Sequence, residues 1–154
     1  MISECSISDS FKILYIVNDA ATRYKNIIPD NCWREPYMSE RELEDEFKDG
    51  VRMFGYLHNN KLIGVIGFQE IKDVILIRHA YTLTTYQGKG TGSALLGYLL
   101  NKNQNSRLLV ALGEMLNGQL DFMKNLVSFF TQKRDQLYYL KNIGTYHQNK
   151  LKIR

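Results

Sequence analysis

The sequence predicts a single domain that mixes helices with a β-sheet, of the α+β or mixed α/β class. Three observations support this. Strand-like apolar segments follow one another between residues 51 and 83, a glycine-rich stretch at 88–92 precedes an apolar helical pattern, and residues 107–112 are almost wholly apolar. An apolar run of that length is typical of a buried parallel strand. We therefore predict a strand, loop, helix and parallel strand as one unit of the domain.

The region before residue 51 predicts helices, at residues 18–50. Residues 11–17 suit either a short strand or the start of a helix. Asn18 and Asp19 are good N-cap residues for a helix to about residue 27, where Pro29 follows. A second helix is predicted from Ser39 to about residue 49.

That second helix has a clear start signal. Ser39 is followed three residues later by Glu42, the spacing of a capping box. Its end is predicted near Asp49 and Gly50, because glycine commonly follows the last helical turn.

A β-hairpin is predicted next. Residues 52–58 and 61–68 are strand-like and flank Asn59-Asn60, a pair suited to a two-residue turn. Residues 74–83 follow as a third strand, rich in Ile, Val, Thr and Tyr. A helix over about 92–101 and a strand over 107–112 complete the unit.

Composition narrows the class of function. The chain has 154 residues, of which 44% are hydrophobic and 23% charged, values that are ordinary for a soluble globular domain. The net charge of +4 is too small to indicate nucleic-acid binding, although it favours an anionic ligand.

The two cysteines do not indicate a disulfide scaffold or a metal site. Cys5 and Cys32 form no CxxC pair and no zinc spacing, so we expect free thiols and no bound metal. Charged residues interrupt the apolar runs near the N-terminus, and no run approaches the length of a membrane span. We therefore expect a cytoplasmic protein with no membrane partner.

The glycine-rich stretch carries the chemistry. Gly88, Gly90 and Gly92 lie between a predicted strand and a predicted helix. Glycine lets the backbone turn sharply and approach a ligand, and a helix N-terminus offers unpaired N–H donors to an anion. Lys89 adds a positive charge, and Thr91 and Ser93 can donate hydroxyls or cap the helix.

Two common phosphate-binding patterns are excluded by spacing. The Walker pattern G-x-x-x-x-G-K-[ST] is absent, and the dinucleotide pattern G-x-G-x-x-G fails because position 93 is Ser. A structural turn without a ligand is the alternative interpretation of the glycines.

The pattern that remains is Q-x-x-G-x-G over Gln87–Gly92, after a strand and before an amphipathic helix. This resembles the cofactor-binding motif of the GNAT superfamily of N-acetyltransferases. The resemblance covers about residues 51–112. It implies a mostly antiparallel central sheet with flanking helices, and acetyl-CoA as cosubstrate.

The resemblance also implies site residues. The pyrophosphate of acetyl-CoA would bind at Gln87, Gly88, Lys89, Gly90, Thr91, Gly92 and Ser93. The pantetheine arm and acyl carbonyl would meet the backbone of Tyr81, Thr82 and Leu83.

Direct acyl transfer to an amine needs a base, a polarised carbonyl and an acid. Glu70, Asp73 and His79 are the candidate bases, with Glu70 and His79 preferred. Solvated turn carboxylates and a strand histidine with ordinary partners are the alternative interpretation. Trp33, Glu35 and Tyr37 are candidates to line the acceptor pocket, or they form a loop anchored by aromatic side chains.

The C-terminal segment departs from the resemblance, so we divide the chain into a GNAT-like domain, 1–112, and an atypical segment, 113–154. The family's helix after the last apolar strand carries an asparagine and a tyrosine, often the general acid, and ends in glycine. Residues 113–119 lack that pattern, and a helix-like run to about residue 126 precedes a basic tail rich in Tyr and Asn.

A change of reading frame is our hypothesis for this departure. When residues 110–129 are back-translated with codons chosen at the degenerate positions, one inserted nucleotide opens a frame containing the expected asparagine, tyrosine and closing Gly-Phe. We favour the hypothesis that residues from about Ala111 onward are a frameshifted translation, because local and global signals conflict there. A divergent relative with a helical C-terminus is the alternative.

The predicted function is transfer of an acetyl group from acetyl-CoA to a small-molecule or protein amine, with weak or no activity in the chain as given. A CoA-binding protein of the same fold without catalysis is the main alternative. A nucleotide- or phosphate-binding module unrelated to CoA is the second. The acceptor and the oligomeric state are not readable from the sequence.

Overall fold

The computed structural model describes residues 1–26, 30, 33–72, 74–104, 106–111 and 137–140. Candidates Asp73 and Cys32, together with the predicted helix-like run after residue 112, lie outside the described residues. The strands are β1 (Ile2–Cys5), β2 (Arg52–His58), β3 (Lys61–Ile71), β4 (Val74–Thr82), β5 (Arg107–Ala111) and β6 (Leu137–Leu140). The α-helices of the described part are α1 (Ser10–Ala21), α2 (Glu40–Lys48) and α3 (Thr91–Lys102).

The described strands form one sheet in the order β1-β2-β3-β4-β5-β6. Strands β1 to β4 are antiparallel to one another, whereas β5 runs parallel to β4 and β6 parallel to β5. The α+β class, the mostly antiparallel sheet and the parallel strand after the glycine-rich loop are confirmed. Strand β1 was not predicted, because four residues are too few to establish an alternating pattern.

The predicted hairpin is present. Its two-residue turn joins His58 to Lys61, and both turn residues have positive φ, 47° at Asn59 and 61° at Asn60. Asparagine tolerates this conformation better than most residues, which is why the pair specifies the turn.

The N-terminal helix differs from the prediction. Helix α1 begins at Ser10, so the segment 11–17 is helical and Asn18 and Asp19 lie in its last turns rather than at an N-cap. Residues Thr22–Tyr24 continue as a short 3-10 turn. The N-cap prediction was wrong because both side chains bind distant backbone groups, which a local capping rule does not detect.

Helix α2 has the predicted capping box. The Glu42 N–H donates to Ser39 Oγ at 3.3 Å, and the Ser39 N–H donates to Glu42 Oε2 at 2.8 Å. Two of the N–H groups at the start of the helix are therefore satisfied locally.

The sheet has an apolar core on each face. Helices α1 and α2 cover one face, where Ile13, Ile16, Val17, Leu43, Met53, Val65 and Leu83 are buried together. Helix α3 covers the other face, where Phe54, Ile66, Phe68, Ile75, Ile77, Leu95, Leu96 and Leu99 are buried together. The glycine-rich loop thus leads from the sheet to the helix that covers its second face.

A single glycine sets how closely α3 approaches the sheet. A Cβ added at Gly64 in β3 would lie 2.8 Å from Thr91 Cγ2 and 3.3 Å from Leu95 Cδ1. Because real Cβ atoms do not approach that closely, the first turn of α3 packs here only against a residue without a side chain.

Candidate functional site

The site is built at the end of β4. The strand ends at Thr82, and the Leu83 N–H donates to the Ile63 carbonyl at 2.9 Å. A short 3-10 turn, Thr84–Tyr86, then leads into the glycine-rich loop. The Leu83 side chain is buried among the core residues that α1 covers, and this packing fixes the position of the chain where it enters the loop.

The loop glycines take conformations that other residues avoid. Gly88 has φ of 73° and Gly90 has φ of 84°. A Cβ added at either residue would meet no atom within 4 Å. The backbone turn, rather than crowding, therefore requires glycine at these two positions, and the space beside them is open to a ligand.

The N-terminus of α3 presents free backbone donors. Gly90 is its N-cap and supplies no side chain to bind the first N–H groups, while its carbonyl accepts from Ala94 at 2.9 Å. The N–H groups of Thr91, Gly92 and Ser93 belong to the first turn, which has no partner one turn earlier in the helix. The Thr91 side chain is buried against Gly64.

The two long polar side chains of the loop bind the turn that precedes it. Gln87 Nε2 donates to the Thr82 carbonyl at 3.0 Å. Lys89 Nζ donates to the Thr85 carbonyl at 3.0 Å and lies 5.3 Å from the centre of the Tyr86 ring. Both contacts fold the loop back on the end of β4.

The last part of β4 extends beyond its pairing with β5 in the described chain. Its parallel pairing with β5 runs from Val74 to Ile77 and does not continue beyond Ile77 in the described chain. The register with β3 shifts between Gly67 and Phe68, which leaves Arg78 as an extra residue in β4. Among the described residues, no strand pairs with residues 79–82 on the β5 side. A strand edge without a neighbour can bind an extended ligand through its backbone.

His79 lies just after this shift, with its side chain 11% exposed. Its Nε2 is 3.0 Å from Glu46 Oε2 of α2, and Arg78 donates to the other Glu46 oxygen at 2.9 Å. The His79 Nδ1 is buried and has no hydrogen-bond partner among the described residues. With the ring proton on Nε2, donated to Glu46, Nδ1 keeps a free lone pair.

Glu70 occupies the opposite end of the sheet. It pairs with Ile75 at the far end of β4, roughly 20 Å of extended strand from Thr82. Its carboxylate is 59% exposed and lies 3.7 Å from Arg52. The structure therefore does not bring Glu70 to the loop, whereas it places His79 within three residues of Thr82 on the same strand.

Aromatic side chains gather beside His79. The centre of the Tyr81 ring lies 6.2 Å from that of His79 and 6.5 Å from that of Tyr37. The centre of the Tyr37 ring in turn lies 6.0 Å from that of Trp33 and 6.3 Å from that of Tyr24. Burial, together with Tyr37, raises the pKa of Tyr81 well above its usual value. Burial also raises the pKa of Tyr24 to about 12. Both phenols therefore remain protonated near neutral pH.

The three acceptor candidates fall into two groups. Trp33 and Tyr37 belong to this aromatic group and are partly buried. Glu35 is exposed, and its carboxylate accepts from Lys25 at 2.7 Å. The hydrogen bond from Lys25 is the first cause of the lowered pKa of Glu35.

Several residues of the site were not found from the sequence. Glu46 is one of many acidic residues of α2, so nothing in the pattern distinguishes it. Asn18 and Asp19 did carry a signal, since two adjacent polar residues interrupt an otherwise apolar segment. The local sequence pattern assigns that signal to a helix N-cap.

In the described part of the chain, no helix is both long and apolar enough to cross a membrane. No group of three His, Cys, Asp or Glu side chains suitable for a metal ion occurs in that part either.

Solved structures with the same fold are numerous. PaiA N-acetyltransferase from Thermoplasma acidophilum in complex with coenzyme A is 20% identical, with a TM-score of 0.65, over 81% of this chain and 86% of that one. The ribosomal-protein-S18-alanine N-acetyltransferase from Escherichia coli is 18% identical, with a TM-score of 0.64, over 82% and 75% of the two chains. An aminoglycoside acetyltransferase from an uncultured soil metagenomic sample, in complex with sisomicin, is 14% identical, with a TM-score of 0.62, over 97% and 96%.

No curated protein sequence matches the chain significantly. The sequence profile of the acetyltransferase (GNAT) family, however, matches residues 15–117, well over half of the chain. The match includes α2, the hairpin, β4 and the whole glycine-rich loop. This chain therefore belongs to the acetyltransferase (GNAT) family.

Proposed function

We propose that the protein binds acetyl-CoA and transfers its acetyl group directly to an amine. The observation that carries the proposal is the end of β4 from His79 to Thr82, which has no strand on its β5 side among the described residues. It runs into a glycine-rich loop and a helix N-terminus without a side-chain cap. An extended arm ending in a pyrophosphate matches that succession of an open strand edge and a set of free N–H donors.

This placement supports a proposed set of cofactor-binding residues. The N–H groups of Gly88 to Ser93 and the cation of Lys89 would bind the pyrophosphate, with Gln87 holding the loop closed through Thr82. The backbone of Tyr81, Thr82 and Leu83 would bind the pantetheine arm. The open space beside Gly88 and Gly90 fits such a ligand.

The reaction moves one acyl group and one proton. The amine nitrogen forms a bond to the thioester carbon, the carbon–sulfur bond breaks, and the thiolate of CoA takes up a proton. We propose that His79 accepts the proton from the amine through Nδ1, because Glu46 is bound to Nε2. Since Nδ1 is buried, the amine proton would pass to it either directly from the bound acceptor or by way of a water molecule enclosed with the acceptor.

The acceptor is proposed to bind against the aromatic group of Trp33, Tyr37 and Tyr81, with Glu35 at its exposed rim. Aromatic faces attract ammonium groups, and an amine acceptor is cationic before it loses its proton. The names of the structural relatives include an aminoglycoside and a ribosomal-protein alanine as acceptors, so both classes belong in an acceptor panel.

A CoA-binding protein without turnover is the second candidate function. It is favoured by the departure of residues 113–119 from the family pattern at the point where the general acid is expected. We keep the hypothesis that residues from about Ala111 onward are frameshifted.

Calorimetric titration with acetyl-CoA tests both candidates, and release of free thiol in the presence of amine acceptors separates them. Desulfo-CoA should compete for the site and ATP should not. Absence of binding would reject both candidates, whereas binding without thiol release would favour the second.

The role of His79 is tested with His79→Gln, made in the chain itself if it turns over and otherwise in the chain whose reading frame is restored near codon 111. We expect kcat to fall by about 100-fold or more, with acetyl-CoA affinity unchanged. The exposed His58→Gln is the control for the loss of a histidine; because its ring lies 5.9 Å from that of Tyr86, acetyl-CoA affinity is measured for both variants. Equal activity of the two variants would reject His79 as the base.

A further inference from the structure

The last two turns of α1 bind both sides of the site through adjacent side chains. Asn18 and Asp19 are both partly buried, and each binds a segment far away in the sequence. Asn18 reaches Met38, twenty residues later, and Asp19 reaches Thr84, which is 65 residues later.

Asp19 binds the start of the cofactor loop. Its Oδ2 accepts from the Thr84 N–H at 2.7 Å, and its Oδ1 accepts from the Thr84 hydroxyl at 3.3 Å. Thr84 begins the turn between the end of β4 and the first loop glycine. A hydrogen bond to a carboxylate is stronger than one between neutral groups, so this pair fixes the direction in which the chain leaves β4.

Asn18 binds the acceptor side. Its Nδ2 donates to the Met38 carbonyl at 3.0 Å, and its Oδ1 accepts from the Met38 N–H at 3.0 Å. One side chain therefore satisfies both backbone groups of Met38, as a neighbouring strand would. Met38 lies between Tyr37 of the aromatic group and Ser39, the N-cap of α2.

The spacing of the two contacts is set by the helix itself. Asn18 also donates to the Leu14 carbonyl at 2.9 Å, which fixes its side chain on α1. Consecutive residues of a helix point about 100° apart, so neighbouring positions can reach two different segments. Because Asn18 and Asp19 are joined by a rigid helix backbone, the segments that they bind, at Met38 and Thr84, stay at a constant separation.

We propose that Asn18 and Asp19 are positioning residues, Asp19 for the cofactor loop and Asn18 for the acceptor segment. This inference rests on the proposed function. The end of α1 thereby holds the two substrates in register with each other, although neither side chain contacts the reacting atoms.

The test compares Asp19→Ala, Asp19→Asn and Asn18→Leu with Asp9→Asn. Asp9 precedes the same helix and binds Ser6 and Lys12 away from the site, so it controls for the stability of α1. The readouts are CoA affinity by calorimetry, amide exchange at Thr84 and Met38, and the fluorescence of Trp33. Trp33 is the only tryptophan in the sequence and it contacts Tyr37, so its emission reports the acceptor side.

We expect Asp19→Ala to speed exchange at Thr84 and to weaken CoA binding about tenfold. Asp19→Asn, which keeps an acceptor for the Thr84 N–H, should lie between that variant and the wild type. Asn18→Leu should speed exchange at Met38 and shift the Trp33 emission, while CoA affinity stays within about twofold of the wild type. Asp9→Asn should change none of these readouts.

The inference is overturned if Asp19→Ala binds CoA as the wild type does, or if Asn18→Leu weakens CoA binding as much as Asp19→Ala does. A general loss of helix stability would affect both sides in all variants, Asp9→Asn included. Failure of the wild type to bind CoA would instead reject the proposed function, and this inference with it.

Discussion

The close approach of α3 to the sheet makes Gly64→Ala the sharpest structural test. The added Cβ would lie 2.8 Å from Thr91 Cγ2, 3.2 Å from Thr82 Oγ1 and 3.3 Å from Leu95 Cδ1. Overpacking of this kind lowers the free energy of unfolding by about 1–3 kcal/mol. The reduced entropy of the unfolded chain offsets roughly 0.4–1 kcal/mol of this loss. We expect a net loss of about 1–2 kcal/mol, or a Tm lower by about 3–6 °C.

The same change should affect the ligand. Because Thr91 is the first residue of α3, a displaced first turn moves the N–H donors that we propose for the pyrophosphate. We therefore expect weaker CoA binding as well as a lower Tm, measured by calorimetric titration and by thermal denaturation followed by circular dichroism.

A second substitution isolates the cause. Thr91→Ser removes the methyl group that the new Cβ would meet first, so the double variant should recover a large part of both losses. The coupling between the two positions is read from a double-mutant cycle. An unchanged Tm in Gly64→Ala, or additive effects in the double variant, would refute the proposed close approach.

Four further outcomes are expected. Gly92→Ala should leave Tm unchanged or raise it, because its Cβ would lie 4.0 Å from Thr82 Oγ1 and alanine favours a helix. It should nevertheless weaken CoA binding about tenfold, because the new methyl group crowds the N–H donors of the first turn of α3. Equal CoA affinity would contradict a ligand role for this turn. Burial alone would raise the pKa of Glu42, but hydrogen bonds from Ser39 and Arg34 outweigh it and lower that pKa below the ordinary 4.5. The unfolded chain then binds the proton more readily, so this contribution to stability is present above pH 4.5 and lost as the pH falls; Glu42→Gln should flatten the acid side of the urea midpoint against pH, and an unchanged slope would contradict this. Burial raises the pKa of Cys5 to about 11, so a Cys32→Ser chain should react with a thiol reagent at pH 8 only when unfolded, and fast labelling of the native chain would argue against a buried thiol. Insertion of one nucleotide near codon 111 should raise turnover with amine acceptors about 100-fold or more, whereas a gene in which no single-base insertion near this codon opens the family pattern would end the frameshift hypothesis.

The features predicted well from the sequence depend on short-range geometry. The Asn59-Asn60 turn follows from the tolerance of asparagine for positive φ, and the start of α2 follows from the reach of Ser39 and Glu42 across one helical turn. The glycine-rich loop likewise has the positive φ at Gly88 and Gly90 that its composition suggested.

The features that were missed depend on partners far away in the sequence. Asn18 and Asp19 have the composition of an N-cap, and only the packing of α1 on the sheet brings Met38 and Thr84 within their reach. Glu46 and His79, 33 residues apart, meet because α2 lies over the face of β4 that the register shift at Arg78 presents.

The sequence by itself therefore determined the order of the elements from α2 to β5, the hairpin and the strand-loop-helix motif that identifies the family, because each rests on preferences of a few consecutive residues. The tertiary structure decided which candidate side chains lie near the loop. It separated Glu70 from that end of the sheet, joined His79 to Glu46 and left the end of β4 without a parallel partner in the described chain. Strand register and helix packing fix these distances, and both are set by the burial of side chains on two faces of one sheet rather than by any local pattern.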